Sequence, residues 1–116
     1  MEAGEEAVLM RIFIGEDDVY DDQPLADAIV LKARAMGLAG ATVLRGALGF
    51  GPASRALEIV LRLSEDRPVV VEIVDRAEPI DRFVAAVETM MGSGMITLQP
   101  VTVRRYGPPA RPGAPL

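Results

Sequence analysis

Gly37-Leu-Ala-Gly-Ala-Thr-Val-Leu-Arg45-Gly46-Ala-Leu-Gly49-Phe-Gly51 closes a helix, runs a short strand and opens a glycine-spaced loop with arginines beside it. Glycine takes positive φ freely and has no Cβ, so such a loop lets backbone N–H groups converge on a ligand. Upstream, Pro24 suits the first turn of a helix that carries Leu25, Ile29, Ala33 and Met36 on one face and stops at Gly37. Before that helix, Val8 to Ile14 is apolar on both faces except for Arg11, which predicts a central strand. Glu16, Asp17, Asp18, Asp21 and Asp22 crowd the connection between strand and helix.

Downstream of the loop, Leu57 to Leu63 alternates in a strand rhythm, Ser64 to Pro68 turns the chain, and Val69 to Val74 returns as another strand. Side chains alternate along a strand, so Glu72 and Arg62 are expected on one face, where they form a cross-strand pair. A second helix follows Pro79 with Ile80, Phe83, Val84, Val87 and Met91 on one side and ends at Gly92-Ser93-Gly94. Met95 to Val103 is the last strand. Its alternation breaks at Gln99-Pro100 and resumes out of phase, the pattern of a bulge or an edge position. The chain divides into a disordered N-terminus (1–7), one domain (8–105) and a disordered Pro/Gly-rich tail (106–116).

The resulting order, β-α-β-β-α-β, is an α+β, ferredoxin-like arrangement: an antiparallel sheet with two helices on one face. The other face stays bare. It is expected to carry some of Val8, Met10, Ile12, Ile14, Val70 and Val74, and contact between sheets of neighbouring copies would cover it, with a homotrimer the preferred form.

Composition removes whole classes of function. A formal net charge of −5 and the lack of a basic cluster argue against nucleic-acid binding. With no cysteine and no histidine, thiol chemistry, imidazole general-base catalysis and nearly all zinc sites are excluded. No apolar run reaches the roughly 18 to 20 residues of a membrane span, and the first residues lack the basic start of a signal peptide, so a cytoplasmic protein without membrane insertion is expected. The core must be built from Val, Ile, Leu, Ala and Met, because the chain holds only three Phe and two Tyr. Met90, Met91 and Met95 read as core filler.

Six ordered stretches, Arg11-Ile-Phe-Ile-Gly-Glu16, Pro24-Leu25, Gly37 to Gly46, Gly49-Phe-Gly51, Leu61-Arg-Leu-Ser-Glu-Asp66 and Glu72-Ile-Val-Asp75, resemble the "domain of unknown function 190" family of PII-like proteins over roughly residues 10 to 103. The resemblance implies a PII-like trimer of ferredoxin-like subunits that holds small effectors, usually adenine nucleotides, in clefts between neighbours. It also implies that residues 46 to 58 reach partner proteins. Membrane transporters, fluoride channels among them, are the partner class it suggests.

The expected ligand site is Arg45, Gly46, Gly49, Phe50, Gly51 and Arg55 of the loop with Gly92, Ser93 and Gly94 of the later turn and Arg105 at the end of the last strand. Arginines beside backbone nests suit an anion. PII proteins carry a Gly-Asp-Gly-Lys pattern before the last strand, and this chain has Gly92-Ser93-Gly94-Met95 there. Both glycines match and the lysine does not, so AMP or ADP is favoured over a triphosphate unless Arg104 or Arg105 supplies the missing cation. Family members tend to carry a histidine two positions beyond the arginine that aligns with Arg55, where Leu57 stands here. Gly46→Val and Arg55→Ala are expected to weaken ligand retention and leave the assembly intact.

Plainer readings stand beside these. The glycines also suit ordinary turns. The acidic cluster at 16–22 suits either the positive end of the following helix or Mg²⁺ or Ca²⁺, and Glu72 either a structural ion pair or a catalytic carboxylate. The leading function is a non-enzymatic regulatory protein that binds an adenine nucleotide and switches its 46–58 loop. The alternatives are a metal-dependent enzyme acting on a phosphorylated small molecule, for which Ser54, Ser64 and Ser93 have no imidazole partner, and a ligand-free adaptor of a membrane transporter.

Overall fold

The computed structural model describes residues 4–46 and 67–107. The elements are β1 (Glu5–Gly15), a small hairpin of β2 (Val19–Tyr20) and β3 (Gln23–Pro24), α1 (Leu25–Ala35), β4 (Thr42–Arg45), β5 (Pro68–Asp75), α2 (Ala77–Glu88) and β6 (Met95–Val103). The expected strand at 57–63 and the tail beyond Gly107 lie outside the described residues.

The four-stranded sheet has the order β4-β5-β1-β6, antiparallel throughout. Each helix therefore connects two parallel strands with a third strand between them, the split βαβ arrangement that the sequence predicts. β1 runs centrally, with Met10 opposite Ile73 and Leu98, and Ile12 opposite Val71 and Ile96. Met10, Ile12, Ile14, Val69, Val71 and Ile73 point to the helices and form one core with Leu25, Ile29 and Ala33 of α1 and Ile80, Phe83 and Val87 of α2. Burial of these branched side chains against two helices on one face is the main stabilising term of the domain.

Helix boundaries follow local chemistry. Pro24 stands at the N-cap of α1, and Gly37 takes φ +77° just past its end, where a side chain would be strained. Met36, expected on the buried face of α1, is instead 36% exposed, because the helix ends at Ala35. α2 begins two residues before Pro79, which sits in its first turn, where the missing N–H costs nothing.

Three expectations change at the strands. Glu5, Glu6 and Ala7, assigned by sequence to the N-terminal tail, pair with Val103, Thr102 and Val101. The register of β1 against β6 is unbroken from Phe13↔Met95 to Glu5↔Val103, so Gln99-Pro100 marks no bulge. β6 is an edge strand, which is why Pro100 is tolerated. Its apolar side chains change face at that point: Ile96 turns to the core, whereas Val101 lies beside the buried Ala7 on the opposite face.

The third change concerns the bare sheet face. Val70 and Val74 lie on it as expected, whereas Val8, Met10, Ile12 and Ile14 face the helices. Register puts Leu9 and Phe13 of β1 and Leu44 of β4 beside those valines, and Met95 of β6 beside Phe13. Leu44 is 48% and Met95 52% exposed, so the face does present apolar surface. At its centre Arg11 Nε donates to Glu72 Oε2 at 2.7 Å. Glu72 thus has Arg11 as its ion-pair partner, and Arg62, its expected partner, lies outside the described residues.

Candidate functional site

The sheet topology brings the candidate residues to particular ends of the strands. β1 ends at Gly15 beside the start of β5, β4 ends at Arg45 opposite Val69, and β6 starts at Met95 opposite Phe13. One end of the sheet therefore collects Gly15-Glu16, Arg45-Gly46, Arg67-Pro68 and Gly92-Ser93-Gly94. Arg105 follows the other end of β6, roughly 25–30 Å away at about 3.3 Å per strand residue, and is not brought into this group. Gly49, Phe50, Gly51 and Arg55 lie outside the described residues.

Within the group, the two glycine-bearing segments sit on opposite edges of the sheet. Three inter-strand spacings, about 14 Å, separate the β4 edge from the β6 edge. One chain cannot close both segments around a single phosphate.

On the β4 edge, backbone hydrogen bonds lock the loop ends together. Gly46 N donates to Pro68 O at 2.7 Å and Glu16 N to Arg67 O at 2.8 Å. A Cβ on Gly46 would meet the Pro68 ring at 2.5 Å, so glycine there serves close packing between β4 and β5. Gly46→Val is accordingly no clean probe of ligand binding, contrary to the expectation from sequence. Arg45 Nη1 donates to Glu16 Oε1 at 3.3 Å, with side chains 53% and 36% exposed. The backbone around Glu16 is fixed by a closed turn, in which Gly15 N donates to Asp18 Oδ2 at 2.9 Å and Asp18 N to Gly15 O at 3.2 Å.

On the β6 edge the three residues of the turn differ in kind. Gly94 has φ +124°, and a Cβ there would meet the Phe13 carbonyl oxygen at 2.6 Å, so it is fixed by backbone packing against β1. Gly92 has open space where a Cβ would be, and Ser93 is exposed. These two are available to a ligand.

The acidic cluster divides by structural role. Asp18 closes the turn after β1, Glu16 pairs with Arg45, and Asp21 and Asp22 form the hairpin tip with φ of 51° and 62°. No side chain caps α1, whose first turn holds only Asp27 as an acid. Among the described residues no three acidic side chains converge as a metal site would require. Sequence reasoning missed the Glu16–Arg45 contact, which joins residues 29 apart and exists only because β5 brings the ends of β1 and β4 to one edge region.

It also missed Asp75, the one charged side chain that is buried among the described residues, 1% exposed. Its carboxylate accepts from Ala39 N at 3.0 Å and Arg76 N at 2.7 Å, tying the loop after α1 to the start of α2 at the sheet end away from Gly46 and Gly92-Ser93-Gly94.

Comparison with known proteins agrees with this architecture. Residues 7–103 match the DUF190 family, described as "Uncharacterized ACR". The chain belongs to that family. A UPF0166 protein of Aquifex aeolicus is 38% identical over 82% of this chain and 90% of its own length, and a UPF0166 protein of Methanocaldococcus jannaschii is 30% identical over 79% and 86%. Among solved structures, one described as CPII bound to ADP and bicarbonate, from Thiomonas intermedia K12, superimposes with a TM-score of 0.57 over 87% of this chain and 91% of that one. Sequence identity to it is 14%, so this likeness speaks for a PII fold in the DUF190 chain. No helix among the described residues is long and apolar enough to cross a membrane.

Proposed function

We propose that this DUF190 protein is a non-enzymatic, PII-like regulator, a cytoplasmic homotrimer that binds an adenine nucleotide, AMP or ADP, between subunits and passes its occupancy to a partner through residues 46–58. A membrane transporter or channel is the partner class in this reading. The observation that carries it is the placement of Arg45-Gly46 and Gly92-Ser93 at one end of the sheet but on opposite edges. The two sets meet on one ligand when the β4 edge of one copy lies beside the β6 edge of another. The exposed apolar side chains of the sheet face supply a reason for copies to associate. The ADP of the CPII structure supports the choice of ligand class.

A metal-dependent enzyme built on Glu72 draws no support, since Arg11 already holds that carboxylate at 2.7 Å on the sheet face. Native mass spectrometry of protein taken directly from cells, followed by calorimetric titration with AMP, ADP and ATP with and without Mg²⁺, tests the proposal. A trimer that binds at least one of them at sub-millimolar concentration is the expected result. A stable monomer, or a trimer indifferent to all three, refutes it.

A further inference from the structure

The contact between Glu16 and Arg45 puts a resident carboxylate on the arginine that the proposed function assigns to an anionic ligand. The pair has a single hydrogen bond of 3.3 Å with both side chains substantially exposed, the geometry of a weak, solvent-screened ion pair. The backbone on either side is much better fixed. Glu16 is anchored through its N–H to the Arg67 carbonyl and through the Gly15–Asp18 turn, and Arg45 ends a strand whose next residue donates to the Pro68 carbonyl. The carboxylate and the guanidinium are therefore held near each other by the sheet, while the bond between them is easily exchanged.

Two consequences follow from charge. An anion that takes Arg45 must displace Glu16 or share the guanidinium with it, and in either case it meets the Glu16 carboxylate, which contacts that guanidinium. The repulsion grows with each additional negative charge on the ligand. We infer that Glu16 is a built-in competitor for the anion site at Arg45, one that weakens binding generally and discriminates against the more highly charged nucleotides. This rests on the reading of Arg45 as a ligand residue. It adds the element of selectivity: a repulsive group set against the wrong ligand, alongside whatever attracts the right one.

The test is calorimetric titration of AMP, ADP and ATP, at one ionic strength and without divalent cations, into the wild-type protein and into Glu16→Gln, Arg45→Ala and the double variant. Glu16→Ala serves as a second substitution that keeps no hydrogen bond to the guanidinium. Because Glu16 is exposed and its backbone makes the structural bonds, both substitutions leave the circular dichroism spectrum unchanged. Glu16→Gln and Glu16→Ala should tighten ADP binding about two- to fivefold, the equivalent of an exposed ion pair. The gain should be smallest for AMP and largest for ATP, and it should vanish in the Arg45→Ala background. Equal affinities in wild type and both Glu16 variants, with binding measurably weakened by Arg45→Ala, overturn the inference and leave the proposed function standing. A gain that persists without Arg45 also overturns it, because the effect is then general charge and not competition for that guanidinium. If none of the three nucleotides binds wild type or either Glu16 variant, the site itself is misassigned and both readings fall.

Discussion

Replacing Asp75 is predicted to be among the most damaging single changes in this domain, although it removes one small polar side chain. The residue is 1% exposed, and its two carboxylate oxygens each accept one backbone N–H, from Ala39 at 3.0 Å and from Arg76 at 2.7 Å. Hydrogen bonds to a charged acceptor contribute about 1.5–3 kcal/mol each, so two set an upper range of about 3–6 kcal/mol. Two effects reduce it. Ala39 and Arg76 are themselves exposed, so water reaches part of the orphaned N–H groups, and Asp75→Ala also removes the cost of keeping a carboxylate out of water. A loss of about 2–4 kcal/mol is expected for Asp75→Ala. Asp75→Asn keeps one carbonyl oxygen but turns an NH₂ toward the second donor, for a loss of about 1–2 kcal/mol. At about 4 °C per kcal/mol, Asp75→Ala lowers the melting temperature by roughly 8–16 °C. Thermal and urea denaturation followed by circular dichroism, at one fixed protein concentration so that assembly does not shift the baseline, measures both variants. The reasoning is refuted if Asp75→Ala lies within 0.5 kcal/mol of wild type, or if asparagine is as harmful as alanine.

Arg11→Ala or Glu72→Ala, each of which strands one charge on the sheet face, should dissociate the proposed assembly at micromolar concentration in multi-angle light scattering, because an unpaired charge in a covered interface costs about 3–5 kcal/mol; Arg11→Met/Glu72→Leu should restore it. Unchanged mass for both single variants counts against that face as the interface. Gly94→Ala should cost at least about 2 kcal/mol in chemical denaturation, from its φ of +124° and the Phe13 carbonyl at 2.6 Å, whereas Gly92→Ala should leave stability within about 0.5 kcal/mol and so report on ligand affinity alone. The hairpin tip holds two consecutive aspartates at positive φ, where the two-residue turn prefers Asn-Gly, so Asp21→Asn/Asp22→Gly should raise stability by about 0.5–1 kcal/mol, and a lower melting temperature would contradict that account of the turn.

The parts of the fold legible in the sequence are those set by periodicity. Met10, Ile12 and Ile14 alternate with Leu9, Arg11 and Phe13, and Ile80, Phe83 and Val87 recur at helical spacing, so strand and helix could be read without any long-range information. Which face of β1 meets the helices was not legible, since both faces are apolar, and only packing against Val69, Val71 and Ile73 decides it. Nor was the partner of Glu72. Alternation places that carboxylate on a face, but Arg11 becomes its neighbour through a register between strands 61 residues apart. Asp75 left no signal, because an aspartate following an apolar strand looks the same whether it is solvated or buried against two N–H groups.

The glycines show why a candidate ligand site is harder to read than a fold. Glycine answers two different demands, room for a ligand and room for the protein's own backbone, and a sequence does not distinguish them. At Gly46 and Gly94 the protein itself fills the place of a Cβ, with Pro68 and with the Phe13 carbonyl, so their presence is accounted for before any ligand is considered. Gly92 has no such neighbour, and its conformation requires no positive φ. It is the glycine of the turn that packing leaves unexplained, on the β6 edge, and Arg45 is its counterpart on the β4 edge, a cation engaged by an exchangeable carboxylate. Three strand spacings separate those two edges. On the proposed reading, a ligand that needs both lies where the edge of one subunit meets the opposite edge of the next, and the binding of ligand and the association of subunits would then be one equilibrium.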